Sequence, residues 1–280
     1  MNKCAVLLAA SLAWPLPALA DERLPLFDAH MHYNVEARSV LTPEQVIALW
    51  RREGVKGVLA TSRPNQGTLD LMASLERDGG KDIRIVPFLR PYRVQPDRRD
   101  WFSNPQIEQL VESELKRGIY HGIGEFHLFG KDADAPFVTR MANLARDRGL
   151  WLHAHSDEDA IERILKAAPG VKIIWAHTGM STALDKVDQM FAAYPNLVGE
   201  LSYRGLDNGA GLSPRWRALF LKYPDRFIIG TDTWITPRWS EVPSILAGYR
   251  RVLSELPPAV AEKIAWKNGF NLFARPPGGR

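Results

Sequence analysis

Cysteine is almost absent from this 280-residue chain. Only Cys4 occurs, inside an N-terminal apolar stretch. The rest of the protein can therefore form no disulfide, and no thiolate can serve as nucleophile or metal ligand. Any metal site has to be built from histidine and carboxylate. Two further absences narrow the field. No Gly-x-Gly-x-x-Gly follows the first apolar run, so nothing supports a dinucleotide-binding open sheet. There is no run of lysine and arginine either: the formal charge is a mild +4, with 32 acidic residues interspersed. No nucleic-acid partner is expected from that footprint, and a small-molecule substrate fits better.

The N-terminus combines Lys3, an apolar run from Ala5 to Trp14 and the small-x-small triplet Ala18-Leu19-Ala20, followed by Asp21-Glu22-Arg23. This reads as a secretory signal peptide cut after Ala20. Its apolar part is too short to span a bilayer, so no stable membrane insertion is expected after cleavage. Residues 1–20 are thus a signal and 21–280 the functional domain, periplasmic or secreted. A cysteine-free chain suits such an oxidising compartment.

The remainder alternates strand-type and helix-type segments. Strands are expected near 24–32, 55–61, 83–89, 119–126, 150–155, 171–176, 197–202 and 227–231. Thr42-Pro43-Glu44-Gln45 carries an N-cap, an N1 proline and a capping-box acceptor. Asn104-Pro105, Ser156-Asp157-Glu158-Asp159 and Ser213-Pro214 open later helices. A last long helix is placed near 242–256, and a short extra C-terminal helix near 260–267. Eight strand–helix units imply parallel pairing and right-handed crossovers, and they close most naturally into a single (β/α)8 TIM barrel of the α/β class.

In such a barrel, chemistry sits at the C-terminal strand ends. Six of the seven histidines fall there: His30 and His32, His127, His153 and His155, and His177; only His121 lies at a strand start. Side chains two apart on a strand share a face, so His30 and His32 make half a metal site. Glu125 ends the fourth strand and Asp232 the eighth.

This ordered set resembles the amidohydrolase superfamily over essentially the whole mature chain. The likeness is greatest to its amidohydrolase-related branch, through Asp28-Ala29-His30-Met31-His32 and Asn268…Asn271-Leu272-Phe273. Gly122-Ile123-Gly124-Glu125 also resembles the TatD-type hydrolases, whose glutamate there binds metal. The resemblance implies His30 and His32 as metal ligands. It implies His153 as the fifth-strand ligand, on its spacing to the following helix, with His155 then reaching substrate; the choice between the two stays open. His177 becomes a second-metal ligand or a polariser, and Asp232 a metal ligand and general base. Glu125 stands where many two-metal members carry a bridging carboxylated lysine, and no lysine occurs before Lys131. A glutamate-bridged pair of divalent ions or a single ion both remain, zinc being the expected metal.

Arginines follow several strands: Arg63, Arg90, Arg93, Arg204 and Arg238. Their forks suit carboxylate or phosphate, and Tyr92, Trp234 and Trp239 could form stacking walls. The substrate-contacting set is therefore His155, Arg63, Arg90, Tyr92, Arg204 and Trp234, for a small anionic, cyclic or aromatic compound. The expected activity is a metal-dependent hydrolase in which activated water cleaves an amide, lactone or other ester bond. A non-oxidative decarboxylase of an aromatic acid, a TatD-like nuclease and a catalytically inactive binding barrel are the alternatives. The sequence leaves a homo-oligomer open.

Overall fold

A computed structural model describes residues 23–276; the expected signal peptide at 1–20 lies outside that range. Eight parallel strands follow one another in chain order: β1 (Leu26–His32), β2 (Val55–Thr61), β3 (Arg84–Leu89), β4 (Gly122–Leu128), β5 (Trp151–Ser156), β6 (Lys172–Trp175), β7 (Leu197–Glu200) and β8 (Phe227–Ile228). Ala29 N donates to Ile229 O at 2.8 Å and Asp232 N to His30 O at 2.6 Å, which brings the last strand back to the first. The ring is a (β/α)8 barrel. Each strand is followed by a helix: α1 (Pro43–Arg52), α2 (Gln66–Arg77), α3 (Pro105–Leu115), α4 (Pro136–Asp147), α5 (Glu158–Ala167), α6 (Leu184–Ala193), α7 (Pro214–Lys222) and α8 (Val242–Leu253). Among the described residues no helix is long and apolar enough to cross a membrane.

Local chemistry sets the helix ends. Thr42 Oγ1 accepts from Gln45 N while Gln45 Oε1 accepts from Thr42 N, the expected capping box at α1. Asn104 accepts from Gln106 N at α3 and Asp157 from Ala160 N at α5. Each helix turns an apolar stripe inward; on α5 it is Ile161, Ile164 and Leu165, one turn apart as the helical period demands.

Two apolar layers result. The larger lies between strands and helices. The smaller fills the barrel itself, with Phe27, Leu59, Val86, Phe88, Trp151, Ile174, Val198 and Ile228 drawn from seven of the strands. Its floor is closed from below by the C-terminal segment, helical from Pro258 to Leu272. Phe273 stacks on Phe27 at 6.0 Å and meets Phe88 edge-on at 5.7 Å. Asn268 Nδ2 donates to the carbonyls of Phe227 and Pro224, pinning that segment beneath β8. The Asn268…Phe273 motif is thus a plug that seals the end opposite the chemistry.

Most strand bounds shift by one to three residues from the sequence reading, and β4 and β8 shift most visibly at their C-terminal ends. β4 runs two residues further, because its pairing with β5 slips between Gly124 and Phe126 and the resulting bulge hides the period. β8 stops at Ile228, and Gly230 beyond it lies so close to the site that a Cβ there would be 2.4 Å from Glu200 Oε1 and 2.5 Å from His30 Cβ.

Candidate metal and substrate site

β1 delivers the first pair. A register shift between Asp28 and Met31 passes the inward positions from Phe27 and Ala29, in the barrel core, to His30 and His32. Their Nε2 atoms are 3.1 Å apart and both rings are fully buried. The β4 bulge aims Glu125 at the same point. Its Oε2 is 3.2 Å from His32 Nε2 and its Oε1 3.5 Å from His30 Nε2. Asp232, beyond β8, completes the group, with Oδ1 3.0 Å from His32 Nε2 and 3.4 Å from His30 Nε2. One donor atom from each of these four buried residues lies within 4.8 Å of the others.

The donor set fits a cation. Asp232 Oδ1 is buried yet makes no aligned hydrogen bond, although His32 is so close; such groups face a shared third partner rather than each other. Glu200, on β7, accepts from His30 Nδ1 at 2.9 Å. A carboxylate only accepts, so the proton is on Nδ1 and His30 Nε2 offers its lone pair inward. Around His30 the charge is strongly negative. Burial alone would push its pKa down, but Asp232, Glu200 and Glu125 raise it well above the ordinary imidazole value. The same pairing holds the Asp232 and Glu125 carboxyls below their usual range against the upward push of burial. Three buried carboxylates around two imidazoles call for a positive charge at the centre.

His32 is held differently. Arg90 Nη1 lies 2.7 Å from its Nδ1, and Nη2 is 3.2 Å from Glu125 Oε2. A guanidinium only donates, so Nδ1 accepts and the proton of a neutral His32 sits on Nε2. Cation and proton compete for that atom. Burial, then the neighbouring Arg90 charge, depress the His32 pKa. Asn65 fixes Arg90 by bonds to both its backbone N–H and its carbonyl.

A second group adjoins the first. His177 Nε2 is 3.1 Å from His155 Nδ1 and 3.6 Å from Glu125 Oε1, and His155 Nδ1 is 3.2 Å from that same oxygen. His177 Nδ1 donates to Ser202, whose hydroxyl donates to Glu200. His153 sits one layer lower, its ring 4.4 Å from that of His30. Neither of its buried nitrogens has a hydrogen-bond partner, and it groups with His30 and Glu200 rather than with His177. His127 stacks on His155 at 4.3 Å and touches the Tyr92 hydroxyl; burial lowers its pKa to about 3.

Glu125, Asp232, His127, His155 and His177 of these groups line a cavity of about 270 Å³, walled by Arg63, Gln95, Arg98, Met180, Tyr203 and Trp234. The non-glycine residues with positive φ among those described are His177, Thr178, Met180, Tyr203 and Asp232. All five follow β6, β7 or β8 at this mouth. Strained backbone gathers where surrounding structure must hold a functional geometry.

The arginines divide. Arg63 pairs with Glu36 at 2.6 Å, Arg90 is bound as above, and Arg204 donates to the carbonyls of Met180 and Thr182. Tyr92 is buried beneath His127, while Trp234 stands at the mouth with its indole N–H on Tyr203. Sequence reasoning passed over Glu200. The available signal was a lone acid inside an otherwise apolar parallel strand, where a carboxylate stays only if it is hydrogen-bonded. Glu200 is fully buried and accepts from His30, from the His177 N–H and from the Ser202 N–H and hydroxyl.

A parallel barrel with a buried imidazole–carboxylate cluster at its C-terminal strand ends is the arrangement of a metal-dependent hydrolase. The amidohydrolase family model matches residues 51–274, and the chain belongs to that family. The match starts beyond His30 and His32, so those two stand on geometry. Several solved structures share the fold. An uncharacterised TIM-barrel protein from Bordetella bronchiseptica is 15% identical, over 85% of this chain and 83% of that one, with a TM-score of 0.59. An amidohydrolase from Burkholderia multivorans, determined with bound zinc, is 16% identical over 90% of this chain and all of that one, at a TM-score of 0.56. A beta-aspartyl dipeptidase from Fervidobacterium islandicum is 18% identical over 92% and 75%, at 0.57. A search of curated proteins finds no match.

Proposed function

We propose that the protein is an exported hydrolase that splits an amide, lactone or other ester bond of a small anionic substrate at a divalent cation, zinc by preference. The observation that carries this reading is the convergence of His30, His32, Glu125 and Asp232 within 4.8 Å, all buried, with Glu125 and Asp232 lining a cavity. Imidazole nitrogen and carboxylate oxygen are the zinc donors. The zinc-bound Burkholderia structure with the same fold is consistent with that choice. Glu125, His155 and His177 would hold a second ion where one is used.

A divalent cation held by His30, His32, Glu125 and Asp232 would supply a water acidified to near neutrality and Lewis-acid polarisation of a carbonyl. The chain's own groups do the rest. Asp232, kept ionised, accepts the proton of the attacking water and returns it to the leaving atom. His177 faces the cavity with Nε2 and steadies the charge that develops on the carbonyl oxygen. Glu200 and Ser202 fix the His30 and His177 rings. Walls of Met180, Tyr203 and Trp234 exclude water from the substrate's body.

The test is elemental analysis of purified protein, then a panel of esters, lactones and amides with and without chelator. Bound metal near one or two per chain and chelator-sensitive turnover are expected. Asp232→Asn should lower kcat by at least about a hundredfold, the usual worth of a general base. Full turnover in metal-free protein, or in Asp232→Asn, would overturn the reading.

A further inference from the structure

We propose that Arg98 is the residue that reads the substrate's anionic group, and that the ligand it serves is a small anion with an aromatic or similarly planar apolar body. The inference rests on the reading of the cavity as the substrate site, and it replaces the arginines that strand position alone would choose.

Three arginines line the cavity: Arg63, Arg90 and Arg98. Arg63 is neutralised by Glu36, and Arg90 is locked to His32 and Glu125. Among the described residues Arg98 has no ion pair and no hydrogen bond to another side chain, and it is exposed. It is thus an uncommitted cation on the lining of the cavity.

The segment that carries it is well anchored. Arg98 and Gln95 belong to one short helical turn, Gln95–Arg99, in the loop after β3. Asp97, buried between them, accepts from the Arg93 side chain and from the backbone N–H groups of Arg93 and Val94. The loop therefore presents Arg98 and Gln95 from a fixed base.

The opposite wall is apolar. Met180, Tyr203 and Trp234 are 43%, 46% and 47% exposed, which is unusual for side chains of this size and places three of them around one opening. Tyr203 is braced from behind by the Arg238 guanidinium 4.0 Å over its ring, and from the side by the Trp234 N–H at 2.8 Å. Flat surfaces held this rigidly suit a flat ligand body. A cavity of about 270 Å³ limits that body to one ring or a short chain. A guanidinium on one wall, aromatic faces on the other and the cation cluster on the floor define three contacts for one molecule: anion, body and scissile bond.

Binding can be measured apart from turnover. Benzenesulfonate supplies an anion that ligates metals poorly, and methyl phenyl sulfone is its neutral counterpart of nearly the same shape. Both are titrated by NMR into wild type, Arg98→Gln, Arg99→Gln and Trp234→Ala, with the metal present and after chelation. Benzenesulfonate should bind wild type at least tenfold more tightly than the sulfone. Arg98→Gln should erase that preference, and Arg99→Gln, which does not line the cavity, should keep it. Trp234→Ala should weaken both probes alike. The preference should survive chelation, since it does not arise at the cation cluster. Retention of the preference in Arg98→Gln, equal loss in Arg99→Gln, or absence of saturable benzenesulfonate binding at tens of millimolar would overturn the proposal. Loss of chelator-sensitive hydrolysis with the anion preference intact would instead overturn the hydrolase reading and leave Arg98 standing.

Discussion

Glu200 and Arg90 act on the two histidines of β1 in opposite senses. Glu200 accepts a hydrogen bond from Nδ1–H of His30 and leaves Nε2 free for a cation; Arg90 donates a hydrogen bond to Nδ1 of His32 and leaves the ring's proton on Nε2. Ligand orientation by an outer carboxylate is worth roughly 10- to 100-fold in metal affinity. Glu200→Gln should therefore weaken zinc binding by about that factor, read by competition with a chromogenic chelator, while far-ultraviolet circular dichroism stays unchanged. Arg90→Met should do the reverse. It lets His32 place its proton on Nδ1 and leaves Glu125 unneutralised, so affinity should rise about tenfold, roughly 1.4 kcal/mol. Equal or weaker binding in Arg90→Met would mean that the guanidinium supports the cation rather than competing with it. Neither effect was legible in the sequence. His30, His32 and Asp232 could be found because a strand's period of two and a barrel's topology place them at one mouth. Which partner holds each ring depends on contacts 58 and 170 residues apart, and no local pattern encodes those.

At the scale of the element, β4 shows how a site is aimed. Gly124 adopts φ +135°, and a Cβ there would meet His153 O at 2.2 Å and His153 Cβ at 2.8 Å. The backbone of β5 is thus packed against the bulge that turns Glu125 inward. Gly124→Ala combines a forbidden conformation with a backbone clash, and should cost at least about 3 kcal/mol on the usual scale of overpacking and strain. Urea denaturation measures it. Thr42→Ala, at the α1 capping box, should cost only about 1 kcal/mol and serves as the control. A Gly124→Ala midpoint no lower than that of Thr42→Ala would show that β4 yields easily. The contrast also marks what an element's sequence discloses. Thr42, Asn104 and Asp157 announce helix starts because capping is a contact within one turn. The β4 bulge was hidden, and with it the extension of the strand to Leu128, because a bulge is a relation between strands. Arg98 escaped attention for the same reason. It lies in an arginine-rich loop where only the pairing of Arg63, Arg90 and Arg93 singles it out.

For the whole molecule, eight alternating units were enough to identify the barrel, since parallel strands with helical crossovers have few ways to close. The division of labour between its ends was not readable. Phe273 sealing the floor and the strained loops shaping the mouth appear only once the ring is formed. That division couples stability to the cation. The Asp232, Glu125 and Glu200 carboxylates are buried around His30, and Arg90 pairs with Glu125 alone of the three, so the folded chain needs a further positive charge there, and either a metal ion or a proton can supply it. A ligand present at a hundred times its dissociation constant stabilises by about 2.7 kcal/mol. For a domain of this size that corresponds to a fall in Tm of several degrees on chelation. The pH dependence follows from the direction of the His30 shift. Its folded pKa is raised well above 6.5 by the three carboxylates, against burial. Proton binding therefore stabilises the metal-free fold fully below the unfolded value of about 6.5, and that contribution is lost as pH rises through the folded value. Protons also compete with the metal for the same imidazoles at low pH. Both effects have one sign: chelation should lower Tm more at pH 8 than at pH 6. Scanning fluorimetry at the two pH values, with and without chelator, reads the difference directly. An equal or larger fall at pH 6 would show that the buried carboxylates are balanced by some charge other than the one shared between metal and proton at His30.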